Sequence, residues 1–130
     1  MNTSGKDSQT ESPTVLVVED ELLIREVIAD YLQDCGFRVV EAGNADDAIK
    51  MLRTDVRIDV VFSDVQMPGS LDGFGLARWL RREQPNVRII LTSGRARATA
   101  ASELCADGPL MAKPYRHDDV ERRIRSLLAR

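Results

Sequence analysis

Five short runs, built mainly of Val, Ile, Leu, Phe and Met, alternate along this chain with segments whose apolar residues recur at helical spacing. Continuous apolar runs of this length are typical of strands buried on both faces, as in a parallel sheet covered by helices. We therefore predict an α/β fold: a doubly wound, five-stranded parallel sheet with five helices. The predicted strands span residues 14–18, 37–41, 59–63, 87–92 and 110–112.

Four of the predicted helices have a clear apolar stripe. Gly36 stops the first helix, Asn44 or Ala45 opens the second, and Pro85-Asn86 ends the third. Residues 95–105 contain good helix formers with a thin stripe, and we predict the fourth helix there. The apolar residues of the other helices are Ile24, Val27, Ile28, Tyr31, Leu32 and Cys35; Ala45, Ala48, Ile49 and Leu52; Phe74, Leu76, Ala77, Trp79 and Leu80; and Val120, Ile124, Leu127 and Leu128.

The length of 130 residues is that of one ordinary domain. Residues 1–13 are polar and have no apolar period, so we predict a flexible N-terminal tail followed by a single domain over residues 14–130. The net charge of −3 argues against a protein that binds nucleic acid or an anionic membrane. No apolar run approaches the roughly 20 residues that span a bilayer, and the N-terminus lacks a signal-peptide core. We therefore expect a cytoplasmic protein.

Acidic residues follow the first and third predicted strands. Glu19 and Asp20 come directly after the first, and Asp64 comes directly after the third. A strand order of 2-1-3-4-5 would place these two strands side by side, at the carboxyl edge where open α/β sheets bind ligands. Three carboxylates at one point repel each other and need a cation, and oxygen-only ligands favour Mg²⁺ or Mn²⁺ over zinc. The alternative is three separate, solvated turn acids.

Two further residues reach the same edge. Thr92 ends the fourth predicted strand, and Lys113 follows the fifth. A hydroxyl can donate to a phosphoryl oxygen, and a lysine ammonium is a point charge suited to phosphate. Taken singly, Thr92 is a strand-end residue and Lys113 a surface charge. Together with the acids, they supply a carboxylate nucleophile, a divalent-metal site and positive charge, which are the parts for phosphoryl transfer.

This combination resembles a known family. The chain is similar to the receiver domain of bacterial response regulators, including the single-domain regulators of chemotaxis, over about residues 13–130. The resemblance implies a flavodoxin-like fold, and the strand order predicted above is partly taken from it. The residues that carry the resemblance are Glu19-Asp20, Asp64 with Met67-Pro68, Asp72-Gly73, Thr92 and Lys113-Pro114.

The resemblance implies a phosphorelay switch. Asp64 would accept a phosphoryl group from a phosphohistidine on a histidine kinase or a histidine phosphotransfer protein. Asp20, Asp64 and the main-chain carbonyl of Gln66 would bind Mg²⁺ (or Mn²⁺), with Glu19 acting through water. Such a domain is a phosphoacceptor that assists its own phosphorylation and dephosphorylation, and it is not an enzyme in the usual sense.

The resemblance also implies how the switch works, and the sequence departs from it. Lys113 would contact the acyl phosphate, and Thr92 would move toward it and change the face built from the fourth and fifth helices. The family usually has an aromatic residue three before the lysine, where this chain has Leu110. Gln66 and Gly94 stand where the family controls phosphoryl loss. Gly94 has no side chain to position an attacking water, so we expect slow self-hydrolysis.

The output of the chain is left open. The chain stops shortly after the last predicted helix, so we expect no attached output domain and action by contact with an unknown downstream protein or by onward phosphotransfer. We expect a monomer, or a weak homodimer through the fourth helix, fifth strand and fifth helix. The alternatives are a receiver domain cut from a hybrid histidine kinase and an interaction module that is not phosphorylated. A third alternative, a haloacid-dehalogenase-like phosphatase, usually has a cap domain and a second aspartate where Gln66 stands.

Overall fold

A computed structural model of the chain describes residues 12–94 and 106–129, and it has the predicted five-stranded parallel sheet. The strand order is β2-β1-β3-β4-β5, which confirms the predicted order 2-1-3-4-5. The helix predicted over residues 95–105 lies outside the described residues, as do residues 1–11 of the predicted tail. The described elements are β1 Thr14–Val18, α1 Leu22–Asp34, β2 Arg38–Ala42, α2 Ala45–Leu52, β3 Val60–Asp64, α3 Gly73–Glu83, β4 Arg88–Ser93, β5 Met111–Ala112 and α4 His117–Leu128.

The sheet has a core on each face because successive side chains of a strand point in opposite directions. In β1, Val15 and Val17 pack with buried residues of α1 and α4, whereas Leu16 and Val18 pack with buried residues of α2 and α3. β1 and β3 are buried along their whole length, which explains their continuous apolar runs. Within the described ranges, every helix is too short or too polar to cross a membrane.

Three strands begin and end one residue later than predicted. The amide of Phe37 donates to the carbonyl of Leu32 in α1, and the amide of Val87 donates to that of Gln84, so both residues close turns before their strands begin. The third strand is likewise shifted and ends at Asp64. Asp64 is therefore the last residue of β3, and its register partner in β4 is Thr92.

The helix α1 ends as predicted, but fewer of its apolar side chains are buried than predicted. Gly36 follows it with a φ of +101°, a left-handed conformation that residues with a Cβ rarely adopt. Only Ile28, Ala29 and Leu32 of α1 are buried. The expectation that Ile24 and Val27 belong to the buried stripe is wrong, since 37% and 53% of their surfaces are exposed. Both residues lie in the first two turns of α1, beside the carboxyl edge of the sheet and beyond the last residue of β1.

Candidate functional site

The carboxyl ends of β1 and β3 bring three acids together. Val18 pairs with Ser63, so the residues that follow each of them lie side by side. Glu19, Asp20 and Asp64 each offer a carboxylate oxygen, and these three oxygens lie within 4.8 Å of one another. Glu19 and Asp64 are 4% and 6% exposed, whereas Asp20 faces solvent. Two carboxylates are therefore withdrawn from water at one point.

Lys113 lies between the two buried acids. Its Nζ donates to Asp64 Oδ2 at 2.9 Å and to Glu19 Oε1 at 3.2 Å. The amide of Lys113 donates to the carbonyl of Ser93 at 3.0 Å, which ties the residue after β5 to the end of β4. The strand ends thus hold one ammonium against two carboxylates.

The other oxygen of Asp64 has a different environment. Asp64 Oδ1 is buried, and it has no hydrogen-bond partner among residues 12–94 and 106–129. A buried carboxylate oxygen without a partner costs free energy. Exposed Asp20 has a carboxylate oxygen within 4.8 Å of one of Asp64 and completes an all-oxygen donor set, which suits Mg²⁺ or Mn²⁺. The residues at this edge therefore fit a divalent cation that shares Asp64 with Lys113.

Burial and neighbouring charges shift the pKa values of both Glu19 and Lys113. Burial raises the pKa of Glu19 above its ordinary 4.5 and outweighs the Glu21 amide and Lys113, which lower it. Burial also acts on Lys113 and would lower its pKa, but hydrogen bonds and charge from Asp64 and then Glu19 raise it above 10.5. The ammonium gains from two carboxylates, whereas Glu19 shares one ammonium with Asp64. Without a metal, the site therefore favours charged Lys113 and disfavours charged Glu19.

This imbalance predicts a pH dependence of stability in EDTA. Because the folded-state pKa of Glu19 lies above 4.5, the folded chain binds more protons than the unfolded chain between the two pKa values. The free energy of unfolding contributed by Glu19 therefore falls as pH rises from 4.5 through the folded pKa. We expect Glu19→Gln to remove this fall and to be the more stable protein at neutral pH. Urea unfolding between about pH 4 and 8 measures it.

The control for this experiment is Glu26→Gln, because Glu26 is an exposed acid of α1. It should leave the pH profile of the native protein unchanged. A Glu19→Gln protein that unfolds more easily than the native protein at neutral pH would contradict the electrostatic account.

Thr92 lies at the same edge, and its hydroxyl bonds to β5 and not to the acids. Its side chain is buried, and Oγ1 donates to the carbonyl of Met111 in β5 at 2.9 Å. The adjacent Ser93 donates from Oγ to Gln66 Oε1 at 2.9 Å. Leu110 is partly buried against the core on the α2 and α3 face. In this structure, the end of β4 is therefore bonded to β5 and to the loop after β3.

Arg25 holds the acidic turn after β1, although the sequence pattern did not indicate it. Its Nη1 donates to the carbonyl of Glu19 at 2.9 Å, and its Nε donates to Glu41 Oε1 at 3.1 Å. The amide of Glu19 donates to the carbonyl of Ala42 in β2. Both main-chain polar groups of Glu19 are therefore fixed. The contact joins Arg25 to Glu41 across 16 positions, so no local sequence signal reveals it.

Gly73, which is part of the resemblance described above, has a structural role that the sequence did not indicate. A Cβ at this position would lie 2.4 Å from the carbonyl oxygen of Asp64 and 2.8 Å from the Cα of Val65. The amide of Gly73 donates to the carbonyl of Val65, and Asp72 caps α3 by accepting from the amide of Gly75. The start of α3 thus packs directly against the main chain of Asp64.

A strip of exposed apolar side chains borders the site. We call Leu22, Leu23, Ile24 and Val27 the α1 rim; 52%, 76%, 37% and 53% of their surfaces are exposed. Three of these residues line a groove of about 500 Å³ together with Lys113, Pro114, Tyr115 and His117. The sequence carries a signal for this rim, since three consecutive apolar residues at the start of a helix cannot all face one core.

Comparison with known proteins shows which family this chain resembles. A family model described as the response regulator receiver domain matches residues 15–125. A probable transcriptional regulator ycf27 of Cyanophora paradoxa is 36% identical over 118 residues, which are 89% of this chain and 48% of that protein. The sensor kinase CckA of Brucella abortus is 34% identical over 90% of this chain, which corresponds to 13% of the kinase. The chain spans about half the length of the ycf27 relative and a small part of the kinase.

Solved structures show the same fold. The response regulator TrrA of Thermotoga maritima, in complex with Mg²⁺ and BeF, has a TM-score of 0.77 at 29% identity and covers 88% of this chain and 98% of that one. A response regulator receiver protein from Sinorhizobium medicae has a TM-score of 0.78 at 28% identity and covers 92% of this chain and 97% of that one. Both similarities extend over nearly all of this chain.

Proposed function

This chain belongs to the response regulator receiver domain family of two-component signalling, and on that premise we propose that it is a phosphoryl-accepting switch with Asp64 as its acceptor. The donor is a phosphohistidine on a histidine kinase or a histidine phosphotransfer protein. Residues 14–130 form the receiver domain, residues 1–13 form the tail before it, and the protein works in the cytoplasm. It is a signalling domain and turns over no external substrate.

One observation carries this proposal. The two carboxylate oxygens of Asp64 differ: Oδ2 accepts from Lys113, and Oδ1 is buried without a partner among the described residues. A carboxylate held by one ammonium keeps its second oxygen free to attack or to bind a cation. Lys113 lies beside the carboxylate, in reach of a phosphoryl oxygen on a group that arrives at Asp64.

The transfer step needs few groups. An oxygen of Asp64 attacks phosphorus, the P–N bond to the histidine breaks, and the electron pair stays on the imidazole, which takes a proton from solvent. A bound Mg²⁺ would neutralise charge on the phosphoryl oxygens. Asp20, Asp64 and the main-chain carbonyl of Gln66 are its proposed ligands, with Glu19 acting through water. Mn²⁺ can replace it at such an oxygen site.

The proposed switch follows from the position of Thr92. Its hydroxyl now donates to Met111, and a phosphoryl group on Asp64, its register partner, offers a more strongly charged acceptor. Exchange of that bond would loosen β4 from β5 and change the face that leads to α4. Leu110 takes the place of the usual aromatic residue, so the change must reach this face without a ring that flips.

The face beyond β5 is the proposed output surface, used by a downstream protein or by a second copy in a weak homodimer. The predicted helix at residues 95–105, which would form part of it, lies outside the described residues. Arg116, directly before α4, is paired with Asp118, and Arg122 of α4 is paired with Asp118 and Asp119. These ion pairs balance part of the positive charge of this face, which favours protein contact over nucleic-acid binding.

The experiment that tests the proposed function is phosphate uptake from a small donor. The protein is incubated with Mg²⁺ and acetyl phosphate, and the mass of the intact chain is measured. We expect one phosphoryl group per chain in Mg²⁺ and none in EDTA. Uptake that is unaffected by EDTA, or steady hydrolysis of a generic phosphate ester, would contradict the proposal.

The α1 rim is the proposed docking surface for the phosphohistidine protein. Lys113 contacts Asp64 and also lines the groove beside the rim, so a donor that reaches Asp64 must lie against these residues. Exposed apolar strips next to a reacting group are typical of protein interaction sites. A small donor such as acetyl phosphate needs no docking surface. Comparing the rates with a protein donor and with a small donor therefore separates effects on docking from effects on the chemical step.

We therefore expect Leu23→Ser to slow phosphotransfer from a histidine-phosphorylated protein by about tenfold, because it removes apolar contact area at the rim. Uptake from acetyl phosphate should not change. Val56→Ser is the matched control, since Val56 is 49% exposed and precedes β3 at the opposite edge of the sheet. Equal slowing with both donors would mean that Leu23 acts on the site itself.

A second candidate is favoured by the kinase relative. The similarity to the CckA kinase covers 90% of this chain and 13% of the kinase. A receiver domain that works as part of a longer hybrid kinase would use the same Asp64 site, and its donor would be the phosphohistidine of the same polypeptide. Phosphotransfer that is much faster from one linked kinase domain than from any separate donor would favour this candidate.

A further inference from the structure

One side-chain bond joins the loop after β3 to the end of β4 beside the proposed phosphorylation site. Ser93 Oγ donates to Gln66 Oε1 at 2.9 Å. Ser93 is 2% exposed, whereas Gln66 faces solvent. The bond therefore joins a buried hydroxyl to an exposed carboxamide, and the serine holds the carboxamide of Gln66 in place.

The position of this bond relates it to Asp64. Gln66 lies two residues after Asp64, and Ser93 lies one residue after Thr92, the register partner of Asp64. The carbonyl of Ser93 accepts from the amide of Lys113, so the main chain of the serine is also fixed by the residue that contacts Asp64. The bond thus spans two of the segments that surround any group attached to Asp64.

The chemistry of phosphoryl loss makes this bond significant. In hydrolysis, the oxygen of a water attacks phosphorus, the P–O bond to Asp64 breaks, and the electron pair returns to the carboxylate. Inorganic phosphate leaves with the oxygen of the water, and the proton of the water passes to phosphate or solvent. A carboxamide assists this step when its oxygen accepts from the attacking water, whereas its N–H groups can only donate.

We propose that Ser93 is a positioning residue that occupies the acceptor oxygen of Gln66 and so lengthens the lifetime of the phosphoryl group on Asp64. The inference rests on the proposed function, because it requires Asp64 to be the phosphoacceptor. It gives a physical basis for slow self-hydrolysis that is separate from the missing side chain at Gly94. Loss of the serine hydroxyl releases the carboxamide oxygen toward the water.

A double-mutant cycle tests the inference. The native protein, Ser93→Ala, Gln66→Ala and the double variant are labelled with acetyl phosphate, freed of donor, and followed for loss of the label. We expect Ser93→Ala to shorten the lifetime about fivefold, the effect of one ordinary hydrogen bond. In the Gln66→Ala background, the same change should have no effect, because no carboxamide is left to release.

A purely structural role for Ser93 would shorten the lifetime equally in both backgrounds, and this result would overturn the inference. Ser70→Ala is the matched control, because Ser70 lies on the same loop and donates to Asp46, away from Gln66. It should leave the lifetime unchanged. Label that forms but decays at one rate in all variants contradicts the inference alone. Native protein that takes up no label contradicts the proposed function and the inference with it.

Discussion

Asp64→Asn is expected to take up no phosphate from acetyl phosphate or from a phosphohistidine protein. The amide that replaces the carboxylate is neutral and a poor nucleophile, and it keeps only one of the two carboxylate oxygens. It also takes one charge from the proposed metal site, so Mg²⁺ binding should weaken at the same time. Intact-chain mass after incubation with donor and Mg²⁺ measures the loss, which we expect to be complete.

The folded state should survive this substitution, because Lys113 keeps its contact with Glu19 at 3.2 Å. Asp55→Asn is the matched control, since Asp55 is an exposed acid between α2 and β3 and lies at the other edge of the sheet. It should take up one phosphoryl group as the native protein does. A phosphorylated Asp64→Asn protein would show that another residue is the acceptor.

Gly73→Ala is expected to give the largest loss of stability. The added Cβ would lie 2.4 Å from the carbonyl oxygen of Asp64 and 2.8 Å from the Cα of Val65, both of which are main-chain atoms of the sheet edge. Main chain cannot move aside as a flexible side chain can, so α3 or the end of β3 must shift. Such overpacking typically costs about 2 kcal/mol or more, which urea unfolding resolves.

The same shift should slow phosphate uptake, because Asp64 would leave the position that Lys113 and the neighbouring acids define. Gly94→Ala is the matched control for stability, since a Cβ at Gly94 meets no atom of the described residues within 4 Å and its φ is outside the left-handed region. An unchanged free energy of unfolding for Gly73→Ala would contradict the packing described at the start of α3.

The sheet could be predicted because its signals are local. Each buried strand is a short apolar run, and the residues that matter, Glu19, Asp20, Asp64, Thr92 and Lys113, stand at strand ends. Parallel strands bring their carboxyl ends to one edge, so the meeting of Asp20 and Asp64 followed once β1 and β3 were placed side by side. The order itself was partly taken from a resemblance, since periodicity alone does not choose between topologies.

Features that depend on contacts between distant residues could not be predicted. The bond from Arg25 to the carbonyl of Glu19 and the close approach of Gly73 to Asp64 have no local signature. The hydroxyl of Thr92 was expected to serve a phosphoryl group, and its present bond to Met111 depends on how β5 lies against β4. The exposure of Val27 was missed because helical spacing was taken to mean burial, although a helix can extend its apolar stripe past the sheet.

The most direct test of the central claim locates the phosphoryl group chemically. The protein is phosphorylated with acetyl phosphate and Mg²⁺, treated with borohydride, digested and analysed by peptide mass. Borohydride reduces an aspartyl phosphate to homoserine and leaves phosphate esters and free carboxylates unchanged. We predict homoserine at position 64 alone, in a peptide that also contains Ser63. Homoserine at position 20 or 59, or phosphate that stays on a serine or threonine, would contradict the assignment of Asp64.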